Sequence, residues 1–254
     1  MDWNKTKTIF IVIFFILDLF LARQFMVKRE ANQLEMISER TGEELLQEAN
    51  ITFKESPSSN QKAGYIKAYV HTFTEKETSS LKDQKIEVQE DGKEIHGEFT
   101  KPTSLPTSDE KNKLEDFVKK NMINGDQYKL VQVDKEGGQI TFAQLYSQKP
   151  VYDNTKTFIT IQLNEKNEMV SYKQRMLEQF EQRTEAETVK TPVNAVTELY
   201  DSNKVNQGSK VSMDLGYYAY FPPATDSQIL APTWRVTVDK DKGEVEVYYV
   251  TALD

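Results

Sequence analysis

The sequence predicts an α+β protein: an N-terminal transmembrane helix followed by a duplicated helix-and-antiparallel-sheet ectodomain. Three observations predict it. Residues 1–29 hold an apolar run between basic groups, and residues 30–50 read as a charged helix. Beyond Ile51 the pattern is alternation of apolar and polar residues, interrupted by two amphipathic segments.

Composition narrows the function before any motif is read. The 254 residues hold 32 Lys+Arg, 40 Asp+Glu, two His and no Cys. Zero Cys excludes a disulfide framework, a thiolate zinc site, a catalytic thiol and a lipidated N-terminal cysteine. A net charge of -8 argues against nucleic-acid binding, which needs a basic footprint to displace counterions. That charge is unevenly spread. Lys5, Lys7, Arg23, Lys28 and Arg29 against Asp2 and Asp18 give residues 1–29 a net +3, which leaves -11 for residues 30–254.

The leader comes first. Ile9 to Leu17 is unbroken apolar chain, Asp18 interrupts it, and Leu19 to Ala22 resumes it. Ile9–Ala22 would rise about 21 Å as a helix, and continuing through Val27 brings it to about 28 Å, near the ~30 Å of a hydrocarbon core if Arg23 snorkels. A cleaved signal peptide would need a small residue where Phe20 stands, three before a cut after Ala22, so the leader reads as an uncleaved anchor. Basic groups flank it almost equally, so positive-inside counting is nearly balanced. The polar domain that follows makes N-inside, C-outside the expected orientation. Asp18 is costly within such a helix, by about 2.5–3.5 kcal/mol near its centre, and intramembrane acids usually face protein or water. Two readings stay open: snorkelling or protonation, and contact with a partner helix. The candidate contact face is Asp18 with Ile11, Phe14, Phe15, Leu21, Ala22 and Phe25.

Glu30 to Asn50 is helix-prone, with Leu34, Ile37, Leu45 and Leu46 apolar and Thr41-Gly42 expected to break it. It reads as a stalk. Strands follow: Tyr65 to Phe73 alternates, and Ile86–Val88 and Ile95–Phe99 flank the hairpin signal Asp91-Gly92. Ser108 can cap a helix reaching Asn121 with Leu114, Phe117, Val118 and Met122 on one side. Leu130–Val133 and Ile140–Phe142 surround Gly137-Gly138. Phe158–Leu163 and Met169–Leu177 form a hairpin around Asn164–Asn167. Thr191-Pro192 opens a second helix, ending near Asn203. Val211 to Phe221 is strand-like, Pro222-Pro223 breaks it, and Trp234–Val238 pairs with Val245–Val250 around Lys242-Gly243.

The order helix, strand, aromatic strand, proline, hairpin occurs twice. Tyr146 and Tyr220 are 74 residues apart, and the hairpin openers Phe158 and Trp234 are 76 apart. The expected organisation is an anchor over 1–29, a helical stalk over 30–50, a first α+β domain over 51–180, a charged linker over 181–190 and a second α+β domain over 191–254. A duplicated unit points to binding or scaffolding, although fold alone does not decide function.

The chemistry-bearing residues are sparse. His71 and His96 are the two imidazoles, and His96-Gly97-Glu98 offers two ligands on one strand face without a third. Ser79-Ser80-Leu81-Lys82 matches a penicillin-binding motif but lacks its companions and its helical context. No phosphate loop or dinucleotide fingerprint is present, so no cofactor, metal or catalytic residue is expected. The Tyr217-Tyr218, Tyr220-Phe221 and Tyr248-Tyr249 pairs put alternate rings on opposite faces, so half at least should be core. An envelope hydrolase with an unlocated carboxylate pair and a ligand-binding module with an aromatic groove remain the rival functions.

Asp2-Trp3-Asn4-Lys5-Thr6-Lys7-Thr8-Ile9-Phe10, then Leu17–Leu21 and Gln24-Phe25, resemble the start of the YycI (WalI) family. Trp234-Arg235-Val236 and Tyr248–Ala252 are similar to that family's last domain. The resemblance implies an extracytoplasmic α+β domain related to YycH (WalH), a single membrane helix in the lipid with a cytoplasmic N-terminus, and no enzymatic activity. It further implies a complex with the sensor histidine kinase WalK (YycG) and with WalH, modulating a two-component system of Gram-positive cell-wall metabolism. In the family the membrane helix contributes to kinase contact, which maps onto Asp18 and its neighbours by position.

Overall fold

A computed structural model of the chain describes residues 3–54, 60–106, 110–152, 158–220, 226–239 and 245–253, with the side chains of the first helix described at 3, 7, 11, 13–26 and 42–48. The architecture is α+β, built on one large mixed sheet.

Helix α1 runs from Trp3–Glu48 without interruption. The break expected at Thr41-Gly42 is absent. Gly42 is buried where α1 crosses α4 (Pro192–Asp201), and a Cβ there would stand 3.1 Å from both Thr197 Oγ1 and Val193 Cγ1. The glycine therefore permits close helix contact rather than ending the helix. Just beyond it Leu46, Ala49 and Ile51 enter a core with Val196, Leu199, Trp234 and Val236. The end of the expected stalk is thus part of the sheet domain's core; Leu34 and Ile37 lie outside the described side chains.

The strands follow in chain order: β1 Thr52–Phe53, β2 Lys62–Ala63, β3 Ile66–Val70, β4 Gln84–Gln89, β5 Glu94–Ser104, β6 Tyr128–Asp134, β7 Gln139–Tyr146 and β8 Lys149–Tyr152. After them come β9 Phe158–Leu163, β10 Glu168–Gln174, β11 Leu177–Gln182, β12 Glu187–Thr188, β13 Lys210–Tyr218, β14 Ser227–Asp239 and β15 Val245–Thr251. Short α2 is Glu75–Thr78 and α3 is Glu110–Asn121. Thirteen strands form one sheet in the order β11-β3-β14-β13-β8-β7-β9-β10-β5-β4, with β1 on β13, β15 on β14 and β6 on β7; β12 and β2 pair separately. The hairpins at Asp91-Gly92 and Asn164–Asn167 are present, Gly92 having the positive φ of 90° its turn needs. Thr191 caps α4, its hydroxyl accepting from the Asn194 N–H. Ser108, Phe221, Pro222-Pro223 and Lys242-Gly243 lie outside the described residues.

The expected purely antiparallel sheet is corrected in one place. β13 takes β1 and β8 as parallel neighbours, because long excursions separate each of them from it in sequence. The strand-for-strand repeat also fails. Two strands, β6 and β7, lie between α3 and Tyr146, whereas one nine-residue strand, β13, carries the second helix's return. The segment around Pro232 is interior to β14 rather than a break. Along one edge, β14 pairs with β3 up to Leu230 and with β15 from Thr233. The Pro232 carbonyl accepts from the Ala252 N–H, so the missing proline donor faces the seam where the neighbouring strand changes.

One face of the β14 half carries Trp234, Val236, Leu215 and Val211 under α4 and the end of α1. The β7 half packs Ile140, Phe142, Ile159, Ile161 and Tyr172 against Leu114 and Val118 of α3. Ile66, Leu177, Tyr217 and Leu230 fill the joint between the halves.

Candidate functional site

Three places could carry function: the N-terminal stretch of α1, the face of the β14 half opposite α4, and two histidine–carboxylate clusters.

On α1, every described side chain from 13 to 26 is exposed, including Phe14, Phe15, Leu21 and Phe25 at half or more of their full surface. Asp18 and Ala22 are exposed as well, and so is Ile11. At 100° per residue, Ile11, Phe14, Phe15, Leu21, Ala22 and Phe25 all fall within about 60° of Asp18, so the predicted contact residues share one stripe. The rest of the circumference is no less apolar, with Ile13, Ile16, Leu17, Leu19 and Phe20 exposed on it. A helix that is apolar all round needs cover from lipid or protein. Among the described residues no helix is long and apolar enough to cross a membrane.

The second place was only partly visible in sequence. On β13, β14 and β15 the side chains opposite α4 are Asp214, Gly216 and Tyr218, then Thr233 and Arg235, then Val247 and Tyr249. Tyr152 of β8 lies across Gly216, where a Cβ would be 2.4 Å from its ring. Its ring centroid is 5.8 Å from that of Tyr249, and the Tyr218 centroid is 4.6 Å from Tyr249 and 4.7 Å from Tyr220. The Arg235 guanidinium stands 5.7 Å from the Tyr152 ring centre. Tyr152 is 2% exposed, and its hydroxyl, like Arg235 Nε, is buried without a hydrogen-bond partner among the described residues. Burial first, and the Asp214 charge second, push the Tyr152 phenol far above its ordinary value, so it stays a neutral donor. The expected division of the tyrosine pairs holds for Tyr217, which is buried against Tyr146, while its neighbour Tyr218 faces the other way. Tyr152, Asp214 and Arg235 had no signal beyond alternation, because a cluster gathered from four strands leaves no local spacing.

The histidines serve local structure. His71 Nδ1 lies 2.7 Å from Glu178 and Nε2 lies 3.0 Å from Glu77, tying β11 to α2. Glu77 also closes a capping box with Thr74, accepting from its N–H at 2.8 Å. Burial acts to raise the Glu77 carboxyl, but the Thr74 hydrogen bonds and the His71 charge outweigh it and hold the group below its usual value. His96 turns to Glu94 rather than sharing a site with Glu98, and Arg175 bridges Glu94 and Glu90. Among the described residues no three His, Cys, Asp or Glu side chains gather to hold a metal ion. The Ser79 and Ser80 hydroxyls donate to the carbonyls of Lys76 and Glu77 at the end of α2, where Ser79 is the C-cap. Capping, rather than nucleophile chemistry, accounts for both.

A family model described as YycI protein matches residues 31–253. No curated protein matches the chain. Among solved structures, an uncharacterized protein from Eubacterium rectale ATCC 33656, determined at 1.45 Å, is 12% identical with a TM-score of 0.44, the alignment covering 80% of this chain and 87% of that one. The family match spans almost everything beyond the leader, and it includes both helices on the sheet, the tyrosine face and both histidine clusters. The chain belongs to the YycI family.

Proposed function

We propose that this chain is a non-enzymatic, membrane-anchored regulator that binds the sensor histidine kinase WalK (YycG) together with YycH (WalH) and modulates its signalling. Family membership supports regulation of that system and carries the reading. The apolar, all-round exposed surface of α1 supports its place in the bilayer, with the N-terminus cytoplasmic and the α+β sheet domain that follows outside. The run from Ile9 to Val27 supplies the length, about 28 Å as a helix. Within it, the stripe of Ile11, Phe14, Phe15, Asp18, Leu21, Ala22 and Phe25 meets the kinase's own membrane helices. Asp18 gives that contact direction, since a buried acid finds a polar partner in protein sooner than in lipid. Regulation then requires that the stripe binds one signalling state of the kinase more tightly than the other.

Asp18→Leu separates anchoring from recognition. The variant should stay in membranes after alkaline extraction, yet co-purify at least tenfold less kinase from detergent-solubilised membranes and lose control of kinase-dependent transcription. Undiminished kinase capture by Asp18→Leu would remove the stripe from the mechanism. Unaltered regulation after deletion of residues 1–29 would remove the membrane helix from it altogether.

A further inference from the structure

His71 stands where β3, α2 and β11 meet. It follows the last residue of β3, its backbone N–H donates to the Met176 carbonyl at 2.9 Å, and its ring lies edge-on to Phe73 with centroids 5.0 Å apart. The side chain is 13% exposed. Both ring nitrogens are engaged, and both partners are carboxylates. Nδ1 is 2.7 Å from Glu178 Oε2 of β11, and Nε2 is 3.0 Å from Glu77 Oε1 of α2. An ionised carboxylate only accepts, and a neutral imidazole carries a single N–H. A neutral ring therefore serves one acid while turning a lone pair on the other. The imidazolium, with an N–H on each nitrogen, satisfies both.

The two acids are not held alike. Glu77 Oε2 accepts from the Thr74 N–H at 2.8 Å and from the Thr74 hydroxyl at 2.7 Å, so the cap of α2 fixes its head. Burial acts to raise this carboxyl, yet the Thr74 bonds and His71 keep it below its usual value, so it stays an acceptor. The Glu178 side chain is 39% exposed, and among the described residues its hydrogen-bond partner is His71. It also stands where the register between β11 and β3 shifts, next to Gln179 with a φ of 51°. The other charged groups on the surrounding elements are engaged elsewhere or exposed. Arg175 bonds Glu90 and Glu94, Lys93 pairs with Asp226, Glu181 with Arg183, and Lys67 bonds the Tyr69 hydroxyl. Glu75 and Lys76 of α2, Asp91 of the β4–β5 turn and Asp126 before β6 are exposed.

We propose that His71 is a proton-dependent clasp: the doubly protonated ring pins β11 to α2 through Glu178 and Glu77, and loss of one ring proton frees Glu178 and loosens β11. The proton leaves from Nδ1, because Glu178 can turn to solvent and Glu77 is held by Thr74. Glu77 then keeps the remaining N–H on Nε2. The sign follows directly: the clasp is closed at low pH and opens as pH rises through the range of about 5–8 in which histidines change charge. Leu177, next to Glu178, is bonded to Gln144 and packs with Ile66, Tyr217 and Leu230, so the loosened end lies at the joint between the halves of the sheet. Placed outside the membrane as proposed above, the clasp reads external pH. Its working parts are His71, Thr74, Glu77 and Glu178, and they stand whether or not that orientation does.

The test uses the full-length chain in nanodiscs, where buffer reaches the sheet domain in either orientation. The sequence has two histidines, so His96→Gln leaves His71 as the one imidazole in a nitrogen spectrum. Both ring nitrogens should be protonated at about pH 5.5, and Nε2 alone at about pH 8.5. Amide hydrogen exchange reads the strand. Protection over Leu177–Gln182, corrected for the intrinsic effect of pH on exchange, should fall at least fivefold between those two conditions, while protection over residues 74–80 changes less than twofold. Glu178→Gln supplies an amide that can accept from an N–H or donate to a lone pair, so it fits either state of the ring. That variant should hold the same protection over Leu177–Gln182 at both pH values, with Trp234 emission unchanged. The proposal is overturned by any of three results: a singly protonated His71 at the lower pH, protection that falls over residues 74–80 or nowhere, or an undiminished fall in Glu178→Gln.

Discussion

Gln144 and Gln174 are fully buried amides, and each closes two hydrogen bonds on one backbone residue. Gln144 donates to the Leu177 carbonyl at 2.7 Å and accepts from the Leu177 N–H at 2.7 Å. Gln174 does the same to Ile123, at 2.6 and 3.3 Å. A side-chain amide has the donor and acceptor spacing of a peptide group, so each glutamine stands in for a missing strand neighbour. Gln144 holds the first residue of β11 to β7, which is where the two halves of the sheet meet. Gln144→Leu keeps the volume but strands a buried N–H and a buried C=O, and unsatisfied groups cost about 1–3 kcal/mol each. The expected loss is therefore about 2–5 kcal/mol, seen as a lower urea midpoint at unchanged slope. A loss below about 1 kcal/mol would mean that water or a local shift re-satisfies Leu177. Neither glutamine was legible in sequence. A polar residue at an inward strand position breaks the alternation that sequence reading relies on, and its partner lies 33 residues away in one case and 51 in the other.

At the scale of elements, β5 and β10 are joined by charge as well as by their ladder. Glu94 of β5 accepts from Arg175, just past β10, and lies against His96 two residues along its own strand. Burial acts to raise the Glu94 carboxyl, but the hydrogen bonds from His96 and Arg175, with their charges, hold it below the ordinary 4.5. A depressed folded-state value means that the stabilisation is complete above 4.5 and is lost as pH falls through the lower, folded-state value. Glu94→Gln should accordingly be less stable than the parent at pH 7, where Arg175 loses its buried counter-charge, and the gap should narrow as the pH is lowered below 4.5. Urea midpoints at several pH values check it; a gap independent of pH would show that packing rather than charge is lost. Elements of this kind divide sharply in legibility. Hairpins closed by Asp91-Gly92 or Asn164–Asn167 and the Thr191-Pro192 helix start announced themselves, because turn and cap chemistry is local. The parallel neighbours of β13 and the run of β14 through Pro232 did not, because a strand's partners are chosen by chain segments far away. Thr41-Gly42 misled for a related reason: a glycine that breaks an isolated helix is an asset where another helix must approach.

On the scale of the whole molecule, the unbroken course of α1 matters most. One helix joins the exposed apolar stretch to the core beneath β13 and β14, with Gly42 seated on α4 and Leu46 buried beside Trp234. A helix of 46 residues spans about 69 Å, and a rigid course along it would fix the orientation of the N-terminal stripe relative to the sheet. A flexible stalk would instead let the two parts turn independently. Insertions after Glu35 separate these cases. Two added alanines rotate the stripe by about 200° relative to the sheet, whereas seven rotate it by about 700°, close to a full return, while lengthening the helix by about 10 Å. If regulation depends on presenting the Asp18 stripe and the ectodomain to one partner in a fixed orientation, the two-residue insertion should abolish control of kinase-dependent transcription and the seven-residue insertion should restore most of it. Membrane retention and Trp234 emission should be the same in both, which keeps loss of folding from imitating the result. Equal regulation by both insertions would make α1 a tether. The function would then reside in its two ends separately, with the stripe and the sheet domain acting on their partners without mechanical connection.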